Sequence, residues 1–118
     1  MADDRRRIGA AGEDAAAAWY EAQGYTVVAR NWRVRDGEID IVARHNRTLV
    51  FCEVKTRSSD RFGTPAEAIS HTKQMRLRRL AVQFLKASPQ PGCALRFDVA
   101  AVKPGAHAPH VEIVENAF

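Results

Sequence analysis

The strongest constraint on the fold of this chain is a pair of β-rich runs, EIDIVA and TLVFCEVKT, joined only by the polar stretch RHNR. So short a connection fits an antiparallel hairpin and excludes a parallel crossover. With the loop centred between Asn46 and Arg47, Asp40 lies opposite Glu53, and Glu38 lies opposite Lys55. Directly opposed residues have Cβ atoms roughly 4.5–5.5 Å apart. Side chains alternate along a strand, so Glu38, Asp40, Glu53 and Lys55 are expected to project from one face.

The neighbours of these charges are Ile39, Ile41, Phe51, Cys52 and Val54. Water is expected to be scarce there, and an ionised group is costly unless it has a use. Two carboxylates so close repel, so one stays protonated or a cation sits between them. A hard divalent ion, Mg²⁺ or Mn²⁺, suits oxygen ligands and keeps positions for a substrate phosphate. Lys55 points into the same site, where it can orient an attacking water or stabilise negative charge in the transition state. The plainer reading is a solvated sheet face with Glu38 and Lys55 as a cross-strand ion pair. For Glu38 the two readings stand level; for Asp40, Glu53 and Lys55 together the site is favoured.

Around the hairpin the chain reads as alternating elements. Ile8, Ala11, Ala15, Trp19 and Ala22 share one helical face, and Gly24 is a natural helix stop. YTVVARNWRV reads as a strand, followed by the turn signal Asp36-Gly37. After the loop RSSDRFGTP, a second helix is expected from about Pro65 to Ala87, with Ile69, Leu77, Leu80, Ala81 and Phe84 as its apolar stripe. ALRFDVAAV and HVEIV follow as strands, the latter at a sheet edge. The order α-β-β-β-α-β-β predicts an α/β fold, a mixed β-sheet flanked by helices. With 118 residues the expectation is a single domain, 1–118. Cys52 and Cys93 form no CxxC pair, so neither a disulfide framework nor a zinc site is expected, and a reducing, cytoplasmic setting is the simplest inference. No apolar stretch approaches membrane-spanning length, and the N-terminus carries no hydrophobic signal core. No membrane partner is therefore expected.

The net charge is +4 and the pI about 9.5, which suits a polyanionic partner. From Lys73 to Lys86 no acid interrupts Lys73, Arg76, Arg78, Arg79 and Lys86. Arg78 and Lys86 read as solvated. Lys73 continues the stripe of Leu77, Leu80 and Phe84, so its stem can lie along the core with its ammonium at the mouth of the site. Gln74 and Arg76 are candidates for the same mouth, flanked by Arg57, Arg61, Arg33 and Arg35 in sequence-independent contact with a phosphodiester backbone. His107 and His110 read as surface. Asp98 reads as a supporting group or as an edge ion pair with Arg96.

A carboxylate on one strand and Glu-x-Lys on the next, here Asp40 and Glu53-Val54-Lys55, resembles the PD-(D/E)xK nuclease superfamily. Ile39 stands where the superfamily name has proline. GEDAAAAWYEAQGY, NWRVRDGEIDIVA, VFCEVKTR, FGTPAEAI, KQMRL, RFDVAAV and ENAF together resemble the YraN-like family of bacterial proteins. That resemblance implies a restriction-endonuclease-like fold, related to archaeal Holliday-junction resolvases. It implies a metal-dependent endonuclease acting on DNA, branched or junction DNA included. Asp40 and Glu53, with Glu38 as a further candidate, would bind Mg²⁺ or Mn²⁺, and Lys55 would act in the chemistry. The resemblance also implies that a glutamate of the first helix, Glu13, approaches the metal. From the residues alone Glu13 lies off the apolar stripe and reads as solvated or as part of an N-terminal turn. A junction substrate needs paired cuts, so a homodimer is expected in that case, with HVEIV as the interface. The rival reading is a non-catalytic nucleic-acid-binding adaptor that keeps the fold and the basic face. A third is a protein-interaction module.

Overall fold

The hairpin forms in the expected register. Strand β2 (Gly37–His45) pairs antiparallel with β3 (Thr48–Thr56) from His45↔Thr48 to Ile41↔Cys52. The turn at Asn46 and Arg47 closes because asparagine tolerates the left-handed backbone it takes there, φ 55°. The computed structural model describes residues 2–56 and 69–118, the first helix by its backbone alone as far as residue 9. Around the hairpin lie α1 (Ala2–Ala22), β1 (Thr26–Val34), α2 (His71–Ala87), β4 (Ala94–Lys103) and β5 (His110–Val114). The element order is the one read from the sequence. The strands line up as β1-β2-β3-β4-β5, with β5 at an edge. Every pair is antiparallel except β3 with β4. That parallel pair needs a crossover, and α2 lies within it.

The two helices cover opposite faces of the sheet. Leu49 and Phe51 pack with Leu77, Leu80, Ala81 and Phe84 of α2. Their neighbours Val50 and Cys52 pack with Ala16, Ala17 and Tyr20 of α1. Strand alternation turns this one run inside out along its length, so β3 is buried on both faces. Burying each large apolar side chain is worth about 1.5–3 kcal/mol.

The inward face of α1 is rotated from the expected one. Gly12, Ala16, Ala17 and Tyr20 are buried, whereas Ala11 is exposed and Trp19 only partly covered. In a helix of alanines the periodicity carries little contrast, and the adjacent Trp19 and Tyr20 offered two faces. Gly12 shows the choice made: a Cβ there would run into the hydroxyl of Thr56 on β3. Only glycine lets the helix come this close.

α2 also starts later than Pro65. Ser70 is extended, φ −63° and ψ 157°, and its hydroxyl accepts a hydrogen bond from Lys73 N–H at 3.2 Å. Serine is a strong N-cap, so the helix begins at His71. Ile69 is buried, but ahead of the helix rather than on its stripe. Residues 65–68 lie outside the described residues.

Candidate functional site

The site stands where the hairpin comes apart. Pairing of β2 with β3 ends at Ile41↔Cys52. Beyond it Asp40 Oδ2 accepts a hydrogen bond from Val54 N–H at 2.8 Å, so a carboxylate takes a backbone donor that the ladder leaves open. The regular alternation expected for this strand breaks here. Ile41 packs on the α1 side and Ile39 on the α2 side. Residues two apart on a regular strand share a face, so β2 changes face at Asp40. The four charges therefore do not stack on one regular face. Glu38 turns to β1, where its Oε2 accepts from Arg33 Nε at 2.8 Å. The cross-strand Glu38–Lys55 pair does not form; Lys55 lies 3.7 Å from Glu53 instead.

Glu38, Asp40, Glu53, Lys73 and Arg76 nevertheless line one cleft of about 240 Å³, floored by Gly37, Leu77 and Leu80. Lys73 reaches it along the α2 stripe as expected, and its Nζ sits 2.8 Å from Glu53 Oε1. Two lysines from different elements thus share one carboxylate oxygen.

The electrostatics follow from burial. Asp40 is pushed up from 3.8 to about 7, by burial first and then by Glu53, against the Val54 N–H bond that favours its anion. Glu13 and Glu38 add to the rise. Glu13 is therefore close enough to act on Asp40. It lies one position from Gly12 on the inward side of α1, only 19% exposed, with Arg30 4.0 Å away. The expectation that Glu13 is a solvated residue off the buried side fails because that side was misplaced. Lys55 is lowered from the ordinary lysine range by burial and by the Lys73 amine beside it. Burial also pulls on Lys73, but its hydrogen bond to Glu53 prevails and it holds its proton more tightly than usual.

Among the described residues no cluster of three or more His, Cys, Asp or Glu side chains stands ready for a metal. Asp40 and Glu53 still fit a hard cation in donor type and in charge. They are oxygen donors whose mutual repulsion a dication would relieve, and Mg²⁺ is commonly held by one or two carboxylates with water and phosphate completing its shell.

Other expected site residues fall elsewhere. The amide of Gln74 donates to the Ile69 carbonyl at 3.1 Å, so it ties down the start of α2 and is not among the residues lining the cleft. Arg57 and Arg61 lie outside the described residues. Arg78, read as solvated, lays its guanidinium over Phe97, 4.7 Å from the ring centroid, and faces Phe118. His107 and His110 are exposed. Asp98 is not at an edge but fully buried, on a strand between β3 and β5, and it does pair with Arg96. Among the described residues no helix is long and apolar enough to cross a membrane.

The raised carboxyl makes a stability prediction. The folded chain holds the Asp40 proton more tightly than the unfolded chain does. That contribution is present at acid pH and is lost as the pH climbs from about 4 through about 7. Metal-free protein is expected to melt at a lower temperature at pH 8 than at pH 5.5, and Asp40→Asn should flatten that part of the profile. An unchanged slope in Asp40→Asn would assign it to other groups.

A mixed sheet between two helices, with an aspartate facing Glu-x-Lys at a strand fork, defines an α/β protein with a charged cleft at the end of its central hairpin. The chain belongs to the uncharacterised protein family UPF0102, whose family model matches residues 12–102. It is 55% identical over 97 residues to a UPF0102 protein of Parafrankia sp., covering 82% of each chain. It is 49% identical over 116 residues to one of Symbiobacterium thermophilum, covering 96% of this chain and 97% of the relative. A third, from Nocardia farcinica, is 45% identical over 117 residues, 98% and 91% of the two chains. The matched span contains every carboxylate and lysine of the site.

Proposed function

We propose that this protein is a metal-dependent endonuclease that hydrolyses DNA phosphodiester bonds, those of branched DNA included. One observation carries the reading: a buried aspartate and a largely buried glutamate share a cleft with Lys73 and Arg76, and Lys55 stands on that glutamate. Burial pushes the Asp40 carboxyl up to about 7, and among the described residues the Val54 N–H is the hydrogen-bond donor that holds it in the cleft. The likeness of the motif to PD-(D/E)xK nucleases supports the same reading.

Asp40 and Glu53 would hold Mg²⁺ or Mn²⁺, which supplies Lewis-acid polarisation of the phosphodiester. Lys55, depressed by burial, is better able than an ordinary lysine to take a proton from an attacking water or to orient it. Arg76 faces the phosphate backbone at the cleft. Glu13 and Glu38 act on the carboxyl of Asp40 through space. The test is a cleavage panel of linear, flapped and four-way DNA in Mn²⁺, with Asp40→Ala as control. Wild type that binds DNA but neither binds Mn²⁺ nor cuts any substrate would replace this reading with the adaptor.

DNA binding itself is expected to be electrostatic. Affinity should fall with salt at a log–log slope of about 0.9 per phosphate neutralised. Arg76→Ala should weaken binding evenly across sequences and reduce that slope by about one. Fluorescence anisotropy over a salt series measures both, and a salt-independent affinity contradicts the expectation.

A further inference from the structure

We propose that Lys73 is an internal counter-ion that stands on Glu53 until a divalent cation displaces it, and that the freed ammonium then engages the substrate phosphodiester. The inference rests on the nuclease reading and adds a step to it. Glu53 Oε1 is the contact point of two ammonium groups, Lys73 at 2.8 Å and Lys55 at 3.7 Å. The nearer one is the more easily moved. Lys55 shares a strand with Glu53 and is 28% exposed, whereas Lys73 extends from α2 and is 38% exposed. A hard dication would bind through that carboxylate oxygen. Its charge there would repel an ammonium in hydrogen-bond contact with the same oxygen, which favours displacement of Lys73.

Once displaced, Lys73 would have few anions to turn to. Asp40 in the same cleft would be engaged by the same cation, Glu38 is held by Arg33, and Arg76 is itself a cation. A phosphodiester entering the cleft meets that need. Metal and substrate should therefore bind with positive coupling, each raising the affinity of the other.

The experiment titrates Mn²⁺ alone into the full chain by calorimetry, in wild type, Lys73→Met, Lys73→Arg and Arg76→Met. Lys73→Met should bind Mn²⁺ roughly tenfold more tightly, equivalent to about 1.4 kcal/mol. Lys73→Arg should behave as wild type. Arg76→Met, which removes a cleft cation without an ion pair to Glu53, should change affinity much less. A second arm measures binding of a short DNA duplex with and without Ca²⁺: the gain that Ca²⁺ gives wild type should shrink in Lys73→Met. Equal Mn²⁺ affinity in wild type and Lys73→Met overturns the counter-ion and leaves the nuclease reading standing. So does an equal rise in Arg76→Met, which would reduce the effect to general charge. An undiminished Ca²⁺ gain in Lys73→Met overturns the engagement of phosphate. Absence of Mn²⁺ binding in every variant overturns both the counter-ion and the metal site.

Discussion

The expected result for Lys55→Ala is loss of DNA cleavage by at least about a hundredfold, the lower range for a positioned acid or base, with Mn²⁺ and DNA binding nearly intact. Asp40→Ala and Glu53→Ala should instead lose metal binding and cleavage together. The split follows from what each group touches. Asp40 is anchored by Val54 N–H, and Glu53 stands beside it in the same cleft. Removing either takes away one of the two oxygen donors. Lys55 is a group of a different kind, an amine made less basic by burial and by Lys73, and it adds no carboxylate oxygen to the site. Its deletion should even ease cation binding slightly, since a like charge beside Glu53 is removed. The measurements are Mn²⁺ calorimetry, DNA binding in Ca²⁺ and cleavage in Mn²⁺ for each variant. If Lys55→Ala cuts as fast as wild type, Lys55 has no part in the chemistry, and Lys73, the other amine on Glu53, becomes the candidate.

Much of this geometry is legible in the sequence, for a reason that can be named. A polar turn centred on Asn46 and Arg47 leaves one register, and a one-residue slip would turn Phe51 and Cys52 to the wrong faces. That register brings Asp40 towards Glu53 before any coordinate is known. Lys73 is legible too, because it continues the buried spacing of Leu77, Leu80 and Phe84. The break in β2 is not legible. It depends on Ile39 finding the α2 side and Ile41 the α1 side, a choice made by packing and not by local pattern. The face of α1 is hidden for the opposite reason: too many residues would serve. Gly12 was the available signal, since a helix-interior glycine often marks a close approach. It would have placed Glu13 near the strands. The role of Asp98 needed partners 78 residues away in Tyr20 and 18 residues away in Asn116, and no window of sequence shows such a meeting.

That buried aspartate sets the largest stability effect expected in the chain. Asp98 is fully buried on β4 and both its oxygens are saturated. Oδ1 accepts from Arg96 Nε at 2.9 Å and from Asn116 N–H at 3.0 Å. Oδ2 accepts from the Tyr20 hydroxyl at 2.7 Å and from Arg96 Nη2 at 2.9 Å. Arg96 passes the link to Tyr25, 3.0 Å away. One carboxylate thus ties α1, the turn after it, β4 and the segment after β5 into a single polar knot. Burial first, then the neighbouring Cys52 and Asp98, keeps the Tyr20 hydroxyl protonated far above its ordinary range, so it stays a donor. The hydrogen bonds to Asp98 likewise keep Arg96 charged. Asp98→Ala would leave the buried Tyr20 hydroxyl without its acceptor and the partly buried Arg96 guanidinium with Glu115 at 3.7 Å as its remaining carboxylate. Breaking such a pair costs about 3–5 kcal/mol, a large share of the roughly 5–15 kcal/mol that holds a typical domain. Tyr20→Phe removes one hydrogen bond to a charged group and should cost less, about 1.5–3 kcal/mol. Urea unfolding of both variants gives the ordering directly, and 1 M salt should change it little, because the pair is shielded from the screening that weakens exposed ion pairs. An Asp98→Ala protein within about 0.5 kcal/mol of wild type, the spread of ordinary surface substitutions, would mean that the knot adds specificity to the fold without adding stability.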